Sequence, residues 1–232
     1  MNKKIILTIL LVIGVLTITG CGKKEEEKKV EPRAAAVAFK EEYESLNGKD
    51  YKNGNVHRTV KIDEFNPFIK ITAKELLEKI NNKETFYVYF GDKLCPWCRS
   101  TIEKAIEVAK AKGIDTIYYV EIWDDDGNEI LRDKYTLNKK NKAVKSQEGT
   151  EEYTRFLEVF DSVLKDYKLT TSKGKKVSTG EKRIFAPNFI YVENGEAIRL
   201  TTGNSDLQEE AFDKLTDEIL ADEQAMYEEF FK

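Results

Sequence analysis

One apolar run opens the chain. From Ile5 to Gly22 there is no charged residue, and Ile5–Leu16 is almost wholly aliphatic. Gly22–Arg33 (GKKEEEKKVEPR) then mixes both signs of charge without an apolar face, and reads as a solvated tether. Past it, the pattern becomes that of a folded chain. Ala34–Leu46 predicts a helix ended by Asn47-Gly48. Tyr51–Phe68 holds short alternating pieces such as Thr59-Val60-Lys61-Ile62 and closes in Asn66-Pro67. Thr72-Ala73-Lys74-Glu75 is a capping-box pattern ahead of Leu76, Leu77 and Ile80, so a short helix starts there. Thr85–Phe90 (TFYVYF), aromatic and β-branched, predicts a buried strand. Pro96–Ala111 predicts a helix with Gly113 as its stop, and Thr116–Trp123 (TIYYVEIW) the next strand.

Residues 124–183 are of mixed character. Within them Glu151–Tyr167 predicts an amphipathic helix, and Lys168–Ser178 a small hairpin. Arg183–Glu193 predicts a strand holding Pro187, Asn194-Gly195 a hairpin turn and Glu196–Thr201 the return strand. Leu207–Leu220 predicts a closing helix, extended or followed by Asp222–Phe231. The first two strands are joined by a crossover helix and should be parallel neighbours; the last two should be antiparallel. The expected fold class is therefore α/β, a mixed sheet flanked by helices, with an insertion at about 124–183 before the Pro187 strand.

A chain of 232 residues has room for one ordinary domain plus appendages. Net charge is -4, and removing the first 20 residues, with Lys3 and Lys4, leaves 36 basic against 42 acidic, or -6. An acidic protein without a basic block is a poor nucleic-acid binder, so no nucleic-acid partner is expected. Three Cys and one His are too few for a disulfide-stapled scaffold or for the usual four-ligand zinc site, unless carboxylates complete it. No metal and no cofactor are expected. Asp124-Asp125-Asp126-Gly127-Asn128-Glu129 has the wrong spacing for an EF-hand and reads as a solvated turn.

The chemistry concentrates in Cys95-Pro96-Trp97-Cys98, set between a buried strand and a helix. Cys95 falls at the helix N-cap, where unpaired N–H groups and the helix dipole stabilise a thiolate, and Pro96 suits the first helical position. Cys98 starts a row with Ile102, Ala105 and Ala109 on one helix face and should point inward. One exposed, activated thiol beside one sheltered thiol suits attack followed by resolution. A static disulfide and half of a zinc site are the alternatives; the remaining soft or nitrogen ligands are His57, otherwise an ordinary surface or cap residue, and Cys21.

FYVYFGDKLCPWCRS with IYYVEIW, followed downstream by RIFAPNFIYVENGEAIRLTTG, resembles the thioredoxin superfamily over about Thr85 to Leu220, interrupted by the insertion. More narrowly it is similar to lipid-anchored thioredoxin-like proteins of the bacteriocin-transport accessory type of Gram-positive bacteria. The resemblance implies a thioredoxin-like fold over 34–232 and a redox disulfide between Cys95 and Cys98. It also implies that Pro187 is cis and faces the two Cys. Trp97, Ala186 and Pro187 would then bind an extended substrate segment. The family's buried Asp falls at Tyr89, so Glu121, on the next strand, is the provisional proton-transfer residue. The Pro-Trp dipeptide is nearer the glutaredoxin pattern, without a recognisable glutathione-binding pattern. The implied activity is thiol–disulfide exchange in the reductase or isomerase direction, on exported protein disulfides or thiols, with an unidentified electron partner. The alternative is a non-catalytic accessory or binding lipoprotein for an exported peptide or protein.

Ile18-Thr19-Gly20-Cys21 resembles the bacterial lipobox. It implies a signal peptide over 1–20, lipidation of Cys21, a tether over 21–33 and a bacterial protein on the outer face of the cell membrane, where disulfides persist. A membrane-spanning anchor and an ordinary cleaved signal are the other readings of the same run.

Overall fold

The computed structural model describes residues 31–232. The expected signal peptide, Cys21 and all but the last residues of the tether lie outside the described residues. The elements run α1 (Ala34–Glu44), β1 (Phe68–Lys70), α2 (Ala73–Asn81), β2 (Phe86–Gly91), α3 (Pro96–Ala111), β3 (Ile117–Glu121), β4 (Lys134–Leu137), β5 (Ala143–Gln147), α4 (Glu151–Val159), β6 (Lys165–Thr170), β7 (Lys176–Arg183), β8 (Asn188–Glu193), β9 (Glu196–Thr201) and α5 (Asp217–Phe230).

Five strands form the central sheet in the order β1-β3-β2-β8-β9. β2 lies at its centre, parallel to β3 (Val88↔Tyr118) and antiparallel to β8 (Val88↔Ile190). Its side chains alternate between two cores, as a period of two requires. Tyr89 enters one with Phe39, Tyr43, Ile102 and Tyr227, from α1, α3 and α5. Val88 and Phe90 enter the other with Leu76, Ile80, Phe156 and Phe160, from α2, α4 and the turn after it. A strand covered on both faces needs a nearly continuous apolar run, and TFYVYF provides it. The α/β class, the mixed sheet, the parallel first pair and the Asn194-Gly195 hairpin agree with expectation.

Several boundaries differ. β1 was not expected: at three residues it has too little alternation to register, and its place comes from pairing with β3 (Phe68↔Ile117). The helix expected over Glu151–Tyr167 stops at Val159, capped at its start by Thr150, whose hydroxyl accepts the Tyr153 N–H at 3.1 Å. Lys165–Thr170 then becomes β6, because its backbone groups pair with β7. The 124–183 segment holds a further hairpin, β4–β5, and its two hairpins meet through Tyr135 and Tyr167, ring centroids 5.8 Å apart. The strand expected over Arg183–Glu193 breaks at Ile184–Pro187, where Pro187 has no N–H to donate and the Asn188 side chain accepts the Phe185 N–H at 2.7 Å. The closing helix begins at Asp217, not Leu207. Arg58 donates to the Ala211 and Asp213 carbonyls, at 3.2 and 2.5 Å, and Ser205 to Asp222 at 2.6 Å, so the intervening backbone is held by side chains.

Glu223 of α5 is fully buried, and neither carboxyl oxygen has a hydrogen-bond partner among the described residues. Burial pushes its carboxyl up to about 8; the nearby charge of Asp222 adds, while Lys104 and Arg58 oppose. The folded state therefore retains a proton that the unfolded chain releases. This contribution is complete below the ordinary carboxylate value and is lost as pH rises through about 8. Glu223→Gln, neutral at every pH, should flatten the decline in melting temperature between pH 5 and pH 8. An unchanged slope in the variant would contradict this reading of the α5 core.

Candidate active site

The start of α3 assembles the site. Cys95 is the N-cap residue, with φ -76° and ψ 117°, and Pro96 is the first helical residue. The Cys98 N–H donates to Cys95 Sγ at 3.2 Å, and the Arg99 N–H donates to the Cys95 carbonyl at 3.1 Å. The sulfur thus occupies the place a cap oxygen takes at other helix starts, next to N–H groups that favour a negative charge. On its other side, Cys95 Sγ donates to the Ala186 carbonyl at 3.4 Å. The Ala186–Pro187 peptide is cis.

Both cysteines are free thiols. Cys98 is fully buried, as expected, but Cys95 is only 3% exposed, where an exposed thiol was expected. The cover comes from the segment between β7 and β8, which brings the Ala186 carbonyl onto the sulfur. That long-range approach has no local sequence signal. Trp97 is half-buried, and its carbonyl accepts from Ser100 Oγ at 2.8 Å and Asn204 Nδ2 at 3.1 Å.

Burial pushes the Cys98 thiol well up; hydrogen bonding to Cys95 and its charge add, while the Tyr89 hydroxyl and the Asp92 backbone N–H draw it partly back. Cys98 is therefore a protonated thiol at neutral pH. Tyr89 continues to Tyr43, their hydroxyls 2.9 Å apart, and burial pushes both phenols well up.

Glu121 stands opposite Gly91 in the β2–β3 register, and its carboxylate pairs with Lys70 Nζ at 2.8 Å. Its charge acts on Glu42, whose carboxyl is pushed up by burial and by Glu121, against Lys70 and Lys93. Asp92, unassigned from sequence, is the buried acid closest in the chain to the cysteine pair. It is 1% exposed, and its two oxygens accept the Leu94 N–H at 2.8 Å and the Trp123 N–H at 3.2 Å. Burial pushes its carboxyl up to about 7; Glu121's charge adds, while those two N–H groups and Lys93 oppose. The signal that could have found Asp92 is an acid directly following a fully apolar strand and preceding a Cys-x-x-Cys helix. Such a position is buried at the strand end.

Arg99 was likewise unassigned. It is 1% exposed and donates to Tyr43 O at 2.8 Å, Arg58 O at 2.6 and 2.9 Å, Asn47 Oδ1 at 2.7 Å and Lys93 O at 3.3 Å. All of these acceptors are neutral. His57, expected as an ordinary surface or cap residue, is buried beside Tyr51, ring centroids 4.9 Å apart. Asp124 Oδ1 accepts the Asp126 and Asn128 N–H groups, at 3.0 and 2.8 Å, within an exposed turn.

No family model matches the chain, and no curated protein matches it significantly.

Proposed function

We propose that this chain is a thiol–disulfide oxidoreductase of thioredoxin-like architecture that cycles Cys95 and Cys98 between dithiol and disulfide. The observation that carries the reading is the Cys95 sulfur, capping α3 and accepting the Cys98 N–H at 3.2 Å, next to a buried, protonated Cys98. The architecture is supported by the strand order, the Cys-x-x-Cys at the start of the crossover helix and the cis Pro187 ahead of the antiparallel β8–β9 pair. Lipid anchoring through Cys21 on the outer membrane face, and exported proteins as substrates, belong to the same proposal and rest on the sequence alone.

The reaction balances over two steps. The Cys95 thiolate bonds to one substrate sulfur while the substrate S–S bond breaks, and the released thiolate takes up a proton. Cys98 then loses its proton, bonds to Cys95 Sγ and expels the second substrate thiol. Two electrons pass from the cysteine pair to the substrate disulfide. The second step needs a base, and Asp92, titrating near 7, suits it better than Glu121, whose carboxylate is held by Lys70.

A second reading, a non-catalytic binding module, is favoured by the 3% exposure of Cys95. The two readings separate on 2-hydroxyethyl disulfide, small enough to reach a covered thiol. An exchange enzyme oxidises both cysteines with release of 2-mercaptoethanol; a binding module leaves both as thiols.

Asp92 has its own consequence. Below pH 7 it carries a proton and cannot accept one, so the rate of the resolving step should rise as pH passes through about 7. Asp92→Asn should lose that rise and run about 10²-fold slower at pH 8. Stopped-flow traces of the fully reduced protein would show it. Superimposable pH profiles for the two proteins would remove Asp92 from the mechanism.

A further inference from the structure

Beside the cysteine helix lies a cleft of about 410 Å³ whose wall includes Leu94, the residue directly before Cys95. Its other walls come from two segments distant in sequence. Tyr51 and His57 belong to the stretch between α1 and β1, and Trp123 and Asp126 to the stretch after β3. Tyr51 is close enough to Cys95 that a thiolate there pushes the phenol up, in addition to burial. The cleft therefore lies beside the nucleophile, with Leu94 as the wall residue adjacent to Cys95, rather than on a remote face.

Its chemistry is specific. Tyr51 and Trp123 supply aromatic surface. Three carboxylates, Asp50, Asp125 and Asp126, stand against one amine, Lys52. Asp125 is already held by Lys93 at 2.5 Å, but neither Asp50 nor Asp126 has an ion-pair partner among the described residues. His57, 5% exposed, contributes to the wall, and its Nδ1 has no hydrogen-bond partner among the described residues. Burial and the charge of Arg99 lower its pKa, so the ring stays neutral and does not repel a cation. Aromatic walls with carboxylates at the mouth suit an ammonium or guanidinium group on an aliphatic stem, which the rings cover while the carboxylates meet the charge.

We infer that this cleft takes a Lys or Arg side chain of the protein substrate, lying within a few residues of the substrate's reacting cysteine. The assignment rests on the redox reading above and names its substrate class. The spacing follows from the chain itself. Leu94 and Cys95 are adjacent, and an extended substrate advances about 3.3 Å per residue, so the side chain in the cleft comes from a position one to three residues from the cysteine. Acidic residues in the same substrate positions meet Asp50 and Asp126 and are disfavoured.

The test uses short synthetic peptides with one cysteine disulfide-linked to 2-mercaptoethanol and with Arg, citrulline or Glu two residues from it. Citrulline keeps the size and shape of Arg without the charge. 2-Hydroxyethyl disulfide serves as the probe without a side chain. With the reduced protein, the Arg peptide should react about tenfold faster than the citrulline peptide, and the Glu peptide slowest. That preference should shrink at high salt, because the rim charges are open to solvent. In Asp50→Asn combined with Asp126→Asn, the Arg-to-citrulline ratio should fall to about one by the same electrostatic argument. Asp161→Asn, after α4, should keep the ratio. If 2-hydroxyethyl disulfide is reduced but Arg and citrulline peptides react alike, the cleft assignment fails while the redox reading stands. A preference that survives the double substitution also overturns it. If no probe is reduced, the redox reading fails and the cleft assignment falls with it.

Discussion

Cys98→Ser protein, mixed in reduced form with a disulfide-bonded protein substrate, is expected to accumulate a covalent complex through Cys95. Cys95 sits at the N-cap with the Cys98 N–H on its sulfur, and replacing the Cys98 side chain leaves that backbone N–H in place. Attack therefore survives. Resolution does not, because among the described residues Cys98 supplies the only second sulfur at the site. Turnover should fall at least about 10²-fold, with the complex visible on a non-reducing gel and dissolved by dithiothreitol. Cys95→Ser should lose turnover to the same degree and trap little, since Cys98 is fully buried and its thiol is pushed well up. Trapping through Cys98 in preference to Cys95 would reverse the assigned roles.

Arg99→Leu should cost about 3–5 kcal/mol of folding stability, from two buried carbonyls left without a donor at about 1–3 kcal/mol each and two further hydrogen bonds lost. Leucine fills part of the volume but leaves the Arg58 and Lys93 carbonyls without the guanidinium donor, and leaves Tyr43 O and Asn47 Oδ1 with only the Leu46 and Val60 N–H groups. These acceptors belong to the end of α1, to the segment before β1 and to the loop ahead of Cys95. A single guanidinium thus fastens three pieces of chain to α3. Arg99→Lys should recover part of the loss, because one ammonium cannot reach acceptors spread around a planar fork. The midpoint of urea unfolding measures both. A loss below about 1 kcal/mol for Arg99→Leu, the worth of one ordinary hydrogen bond, would show that water replaces the guanidinium at little cost.

These two residues mark where the sequence is legible. Cys95 and Cys98 announce themselves: a buried-strand pattern, a loop, then Cys-Pro-x-Cys opening an amphipathic row place both on a helix start through local rules alone. The boundaries of α3 were correct for the same reason, with Pro96 at its start and Gly113 just past its end. The covered state of Cys95 was not legible, since the carbonyl over it comes from Ala186, 91 residues away. Arg99 reads in sequence as a polar residue on a helix, and only the segment between α1 and β1, folded over it, makes it a core residue. Tyr89 was correctly placed in a buried strand, but Tyr43, its hydrogen-bond partner from α1, had no pairing signal. Glu121 drew attention as a charge between apolar neighbours, whereas Lys70 on β1 pairs with its half-buried carboxylate, and β1 was too short to be read. The helices predicted too long or too early, over Glu151–Tyr167 and Leu207–Leu220, share one cause. Their apolar spacing was real, but the backbone bonds went to a hairpin partner in one case and to the Arg58 and Ser205 side chains in the other.

The central claim is that Cys95 and Cys98 form a reversible redox pair, and a redox titration of the protein tests it most directly. The protein is equilibrated in dithiothreitol and glutathione buffers, quenched in acid, and its free thiols are counted by mass spectrometry. The account predicts one two-electron transition in which Cys95 and Cys98 disappear together, with a midpoint between about -270 and -180 mV, the range of reductases and isomerases. A midpoint near about -120 mV would contradict the reductase or isomerase direction, and two thiols persisting across the range from about -300 to -120 mV would contradict the claim itself.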